Sequence, residues 1–355
     1  MTFLSYNVTN YTTMKKLTFK PKQVTKQLLN TLPTRANEVL SARYGLGKSS
    51  DKMTLEAIGN KYGITRERVR QIESAALQSI RKSDEFTEST AIFDELAKIM
   101  NVMGGILLEE ELLQSFAKDA STQNHVYFLL VLGNSFKQKK EDLEFKRRWY
   151  VDEGHANAVH SALKRLYEGL SDEDLISEAK LIDTFLIELK GINQQFYNEE
   201  IARRWLSLSK KIDINPLGEW GVAHSSNVRT KGMRDYAYLT IKRHGSPMHF
   251  SEVAKTITQL FKRQAHIATC HNELIKDKRF VLVGRGLYAL SEWGYSKGVV
   301  KDVISDILGK DNPLTRDEII ERVQKERYVK NNTILVNLQD SSCFKRDKNG
   351  RYSLI

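Results

Sequence analysis

Residues Thr54 to Lys82 read TLEAIGNKYGITRERVRQIESAALQSIRK, and their punctuation predicts two helices joined by a tight turn. Thr54 caps the first helix, and Glu56 in its first turn meets the positive end of the macrodipole. Tyr62-Gly63 ends that helix, and Thr65 caps the second. Val69, Ile72, Ala76 and Ile80 then recur at spacings of three and four, the mark of one buried helix face. Such a pair is a helix-turn-helix, whose second helix offers its N-terminal residues to a DNA major groove. Arg66, Glu67, Arg68, Arg70 and Gln71 crowd those first two turns. Arginine pairs with guanine, glutamate accepts from cytosine and glutamine pairs with adenine, so the residue types suit base edges. A solvated, salt-bridged helix face is the competing reading of the same residues.

Upstream stands Leu32-Pro33-x-Arg35-x-x-Glu38-Val39-Leu40-x-x-Arg43-Tyr44-Gly45, followed by Thr54-Leu55-Glu56-x-Ile58-Gly59 and Thr65-Arg66-Glu67-Arg68-Val69-Arg70-Gln71-Ile72-Glu73. This long, gap-poor pattern closely resembles region 4 of housekeeping-type bacterial sigma factors, over residues 20–83. The resemblance implies a helix that reads the −35 promoter element, with Arg66, Glu67 and Gln71 on bases. It implies Arg68, Arg70, Thr54, Arg43 and Lys61 as contacts to phosphates or polymerase. In that family the two helices before the reading helix clasp a polymerase flap helix. Leu28, Leu29, Val39, Leu40 and Tyr44 suit that role, though residues of this kind more often form a core. Ala36 departs from the pattern, since the family usually has an acidic residue after the arginine. No segment resembles the aromatic-rich sigma region that melts the −10 element, so a regulator or accessory factor is expected, not a complete sigma factor.

The chain has 355 residues, enough for two or more domains, and its 41% hydrophobic content suffices for packed cores. No apolar run approaches the roughly 18 residues of a membrane span. The N-terminal MTFLSYNVTNYTTMKK lacks the pattern of a signal peptide, and Cys270 and Cys343 have no partner spacing. These features point to a reducing cytoplasm, with nucleoid association expected from the DNA-binding reading. Charge is uneven. Residues 1–83 hold 15 Lys and Arg against 5 Asp and Glu, residues 84–220 hold 16 against 25, and the remainder 24 against 14. Basic ends suit a polyanion, while the acidic middle suits a protein partner.

Residues 1–19 are expected as a mobile basic arm, with Lys15, Lys16, Lys20 and Lys22 attracting phosphates. After Ser83, DEFTEST reads as a polar linker. Beyond it runs a loose repeat of about 60–70 residues, in which two or three helices lead into a short β-hairpin. The units fall at 90–152, 155–224, 232–295 and 297–355. In the last two, Gly286 and Asn349-Gly350 supply the positive φ of tight hairpins. Three helices closed by a hairpin is the winged-helix plan. The expected fold is therefore mainly α, a helix-turn-helix followed by an array of winged-helix units with short wings. Ala237-Tyr238, Pro247-Met248-His249-Phe250, Glu252-Val253-Ala254, Phe280 and Gly286-Leu287-Tyr288-Ala289-Leu290-Ser291-Glu292-Trp293 further resemble the HARE-type winged helix, known from the delta subunit of bacterial RNA polymerase.

Catalysis finds no pattern here: there is no Walker sequence, nucleophile elbow or paired carboxylates. Glu109, Glu110 and Glu111 suit a helix start, and the scattered histidines lack metal spacing, so no metal and no cofactor is expected. Trp149, Trp220 and Trp293 are expected at matching places, closing hairpins over small cores. Lys262 and Arg263, with His266, precede one third helix; Arg327, Lys330, Asn331 and Asn332 precede another, and both starts suit phosphates. The expected partners are double-stranded DNA and RNA polymerase, with no membrane and no small-molecule substrate. A polymerase-docking protein and a sequence-tolerant chromosome-organising protein are the alternatives.

Overall fold

Pro21 opens the first helix, α1 (Pro21–Asn30), where its missing N–H costs nothing. α2 (Thr34–Tyr44) ends on Gly45 at φ +63°, and α3 (Leu55–Tyr62) ends on Gly63 at φ +68°. α4 (Arg66–Arg81) follows at once. Both predicted caps form: Thr54 Oγ1 accepts from the Ala57 N–H at 3.1 Å and Thr65 Oγ1 from the Arg68 N–H at 3.2 Å. Val39, Ile58 and Val69 are wholly buried together and set α4 against α2 and α3. The computed structural model describes residues 16–189, 192–295 and 298–355, which fall into two compact units divided between Ala223 and His224. The expected arm lies outside the described residues up to residue 15. Its end is docked: Leu17 and Phe19 pack on the core, and the Thr18 N–H donates to Glu95 Oε1 at 2.8 Å.

In the first unit the expected linker DEFTEST is helical instead. Ser83 Oγ accepts from the Phe86 N–H and caps α5 (Asp84–Glu88), and Phe86 lies 4.9 Å from the Phe93 ring of α6 (Thr90–Val102). There follow β1 (Ile106–Leu108), α7 (Glu109–Phe116), α8 (Ala120–Leu132), β2 (Lys137–Lys139) and β3 (Arg148–Tyr150). The next set is α9 (Glu153–Glu168), β4 (Ile176–Ser177), α10 (Glu178–Glu188), α11 (Glu199–Leu206), β5 (Ile212–Ile214) and β6 (Glu219–Val222).

The second unit has α12 (Met233–His244), β7 (Met248–His249), α13 (Phe250–Phe261), α14 (Ile267–Lys276), β8 (Phe280–Gly284) and β9 (Leu287–Leu290). It closes with α15 (Val300–Lys310), β10 (Leu314–Thr315), α16 (Arg316–Glu326), α17 (Asn331–Leu338), β11 (Phe344–Arg346) and β12 (Arg351–Leu354). No helix among the described residues is long and apolar enough to cross a membrane.

Each of these four sets runs helix, strand, helix, helix, strand, strand. The sheets are antiparallel, in orders β1-β3-β2, β4-β6-β5, β7-β9-β8 and β10-β12-β11. A two-stranded hairpin was the expectation; the added first strand has only two or three residues, too few to carry an alternation signal. Register also corrects the tryptophans. Trp149 faces Leu107, Trp220 faces Ile176, Tyr288 faces Met248 and Tyr352 faces Leu314. The repeated aromatic is therefore tyrosine in the last two sets, and Trp293 lies beyond β9.

Candidate nucleic-acid interface

The first two turns of α4 stand clear of the domain. Arg66, Glu67, Arg68, Arg70 and Gln71 are all exposed, while Val69 between them is wholly buried. Burial of one face by Val69, Ala76 and Ile80 thus fixes which side chains point outward. Gly59 permits the close turn that places α4: a Cβ there would lie 2.6 Å from the Ile64 carbonyl oxygen.

Two of the three expected base readers are held by arginines three residues away. Arg70 donates to Glu67 through Nε at 2.9 Å and Nη2 at 2.6 Å, and Arg68 Nη1 donates to Gln71 Oε1 at 3.2 Å. The Arg70 guanidinium holds the Glu67 carboxyl below its usual pKa range. Glu67 is therefore an anionic acceptor at neutral pH. These exposed pairs add little stability, but they restrict the rotamers of both readers. Ser74 continues the exposed stripe seven residues after Glu67, a spacing legible in the sequence and missed there.

The remaining expected contacts divide. Thr54 is exposed at the start of α3 and Lys61 near its end, with the Lys61 Nζ 5.3 Å from the Tyr62 ring centroid. Arg43 is turned inward: its Nη1 donates to the Met53 carbonyl at 3.1 Å, and its Nε lies 3.5 Å from Glu73 Oε1. Glu73 also accepts from the Tyr44 hydroxyl at 2.9 Å, so Arg43 braces the loop between α2 and α3 onto α4. Burial and that carboxylate raise the Tyr44 pKa, which keeps the hydroxyl a donor.

Leu28, Leu29, Leu40 and Tyr44 do not form an open groove. They belong to a core that continues through Phe93 and Leu96 to Phe128, Leu129 and Trp149. Val39 is buried in the core beneath α4. α8 carries buried residues all around its axis, as a helix enclosed by protein must. Phe128 meets Tyr44 edge-on at 5.2 Å. Asn124 Nδ2 donates to the carbonyls of Gly45 and Ser50 at 3.2 and 2.8 Å, and Arg81 donates to those of Leu132 and Val131 at 3.1 and 2.8 Å. The docking role weighed for these five side chains is thus corrected, because helices of the same chain cover them. Ala36 is half-buried against this core.

In the second unit, Lys262 caps α13 at φ +50°, and the Arg263 guanidinium lies 4.9 Å from the Tyr236 ring; both are exposed. Lys330 and Asn332 are exposed, while Asn331 accepts from Gln324 Nε2 at 2.5 Å. Arg327 is buried and donates to the Gly298 carbonyl at 3.1 Å, so it serves the fold and not a phosphate.

Comparison with known proteins agrees with the geometry of α1–α4. Residues 28–82 match the family described as Sigma-70, region 4. This segment is a sigma-70 region 4 helix-turn-helix domain. RNA polymerase sigma factor RpoD of Neisseria gonorrhoeae is 44% identical over 59 residues, 17% of this chain and 9% of that protein. RNA polymerase sigma factor SigA of Clostridium acetobutylicum is 43% identical over 60 residues, 17% of this chain and 16% of that protein. The chain thus spans less than a fifth of the length of either relative. The likeness covers the region 4 domain and leaves the acidic middle and the second unit to be read from their own residues.

Proposed function

We propose that the chain is a sequence-specific duplex-DNA-binding protein of bacterial transcription, acting in the cytoplasm by binding and not by catalysis. α4 reads a −35-like element, with Arg66, Glu67 and Gln71 on base edges and Arg68, Arg70, Thr54 and Lys61 near phosphates. The observation that carries this reading is the run of exposed polar residues at the capped start of α4, held outward by buried Val69. The protein acts as a regulator or accessory factor. We read the four repeated sets as winged helices, supported by their shared element order and strand order, and residues 232–295 as the HARE type.

Selection of bound duplexes from a random pool tests this. Arg66→Ala and Gln71→Ala should each cost about 1–3 kcal/mol on the selected site and little on random DNA. Equal losses on both would mean that these residues supply charge alone, as a sequence-tolerant chromosome-organising protein requires.

A second reading, docking on RNA polymerase, is favoured for the HARE-like set by one observation. α14 exposes Ile267 and Ile275, 52% and 62% accessible, and Lys276 at its end is its only cation. An apolar face of that kind suits protein better than phosphate. Binding of the full chain to polymerase without DNA, lost on Ile267→Asp, is the expected result.

A further inference from the structure

Positive charge in the last set is concentrated in one place. Residues 298–342 carry seven Lys and Arg against eight Asp and Glu, whereas residues 343–355 carry four against one. The four are Lys345, Arg346, Lys348 and Arg351, all exposed, on the hairpin of β11 and β12. Elsewhere in the set three cations pair with acids: Lys301 with Asp340 at 2.5 Å, Lys325 with Glu321 at 2.9 Å, and Arg322 with Asp311. Among the described residues none of the hairpin cations forms such a pair; the Glu318 carboxyl is held below its usual pKa range by hydrogen bonds from Thr315, with Arg351 adding a smaller electrostatic pull. The hairpin's one acid, Asp347, is occupied by the turn. Its Oδ1 accepts from the N–H groups of Asn349 and Arg351 at 2.9 and 2.8 Å.

The ladder distributes these charges around the ribbon. Arg346 stands opposite Tyr352, its guanidinium 5.8 Å from the ring centroid, and Lys345 stands opposite Ser353. Successive strand residues point to opposite faces, so Lys345 and Arg346 flank the ribbon on both sides. Lys348 lies in the turn that Gly350 closes at φ +80°. Clustered like charges repel, and a polyanion relieves that repulsion while releasing counterions. By contrast, α17 exposes Asn332, Thr333 and Val336, with no charge along the helix.

We propose that the hairpin of residues 344–354 is a second, sequence-independent contact to the phosphate backbone of duplex DNA, made by Lys345, Arg346, Lys348 and Arg351. It rests on the DNA-binding reading of α4 and supplies affinity where α4 supplies preference.

The test uses the full chain carrying Lys345→Gln, Arg346→Gln and Lys348→Gln together, with a random-sequence duplex titrated across a salt series. Binding should weaken by about ten-fold or more at low salt, and the log–log salt slope should become shallower by about 2.7, at about 0.9 per lost phosphate contact. A matched triple, Lys310→Gln, Arg322→Gln and Lys325→Gln, removes equal charge from helices α15 and α16 and should leave the slope unchanged. An unchanged slope in the hairpin variant, or an equal change in both triples, overturns the proposal. Circular dichroism melts of both triples separate lost contact from lost fold. Failure of the α4 reading looks different: the wild type would then show no preference between selected and random duplexes, while the hairpin slope would still respond.

Discussion

At Gly59 an added Cβ would lie 2.6 Å from the Ile64 carbonyl oxygen, which reverses the ordinary advantage of alanine over glycine inside a helix. Gly59→Ala should therefore destabilise by about 1–3 kcal/mol, as overpacking does, where an open helical site would gain about 1 kcal/mol. Equilibrium denaturation decides the sign. Arg43 offers a companion test, because its guanidinium faces Met53 and Glu73 within the domain. Arg43→Met should cost about 1–3 kcal/mol of stability through the unpaired Glu73 and the Met53 carbonyl. The salt slope of DNA binding should stay as in the wild type. A slope shallower by about 0.9 would instead make Arg43 a phosphate contact.

Among the elements, α8 decides how the helix-turn-helix is supported. It closes over α1 and α2 with wholly buried Phe128 and Leu129, and Asn124 ties it to the loop after α2. Phe128→Ala should cost about 3–5 kcal/mol, and Asn124→Ala about 1–3 kcal/mol through the two carbonyls left unsatisfied. Hydrogen exchange across residues 21–44 should quicken in both variants, since α1 and α2 lose their cover. Unchanged protection there would mean that α1 and α2 hold without α8. Its lack of a distinct polar face has the same cause: its own chain encloses the helix.

For the molecule as a whole, the proposed function places specificity and affinity in different units. Deleting residues 224–355 should leave the selected DNA sequence intact while weakening binding, because two modules on one duplex gain through effective concentration, by roughly 10²-fold or more. A changed selected sequence would mean that the second unit reads bases. Acid should weaken the first unit through His160, whose Nε2 accepts from Arg148 Nε at 2.7 Å in a buried site. Burial and the guanidinium push His160 down to about 3. The unfolded chain binds a proton near pH 6.5 that the fold refuses, so this stability is full above about 6.5 and falls as pH drops toward 3, by about 1.4 kcal/mol per pH unit. His160→Gln keeps an acceptor and removes the titration. Its stability should decline less steeply than that of the wild type between roughly pH 6 and 4. Parallel curves would place the proton uptake elsewhere.

Sequence alone determined the end of α3 and the start and outward face of α4, because a terminal glycine, a cap and three-to-four spacing act within a few residues. Tertiary structure decided what those elements meet. Asn124 lies 79 residues from Gly45, and Arg204, whose Nε donates to Glu111 Oε1 at 2.8 Å, lies 93 residues from it. Helix-start position alone accounts for neither that bond nor the one from Trp149 Nε1 to Glu109 Oε2 at 2.9 Å. Burial of Arg327, the cover over Leu28 and Leu40, and the exchange of tryptophan for tyrosine at the paired strand position have the same origin. Each depends on partners distant in sequence, and no local periodicity records which distant surface a side chain will reach.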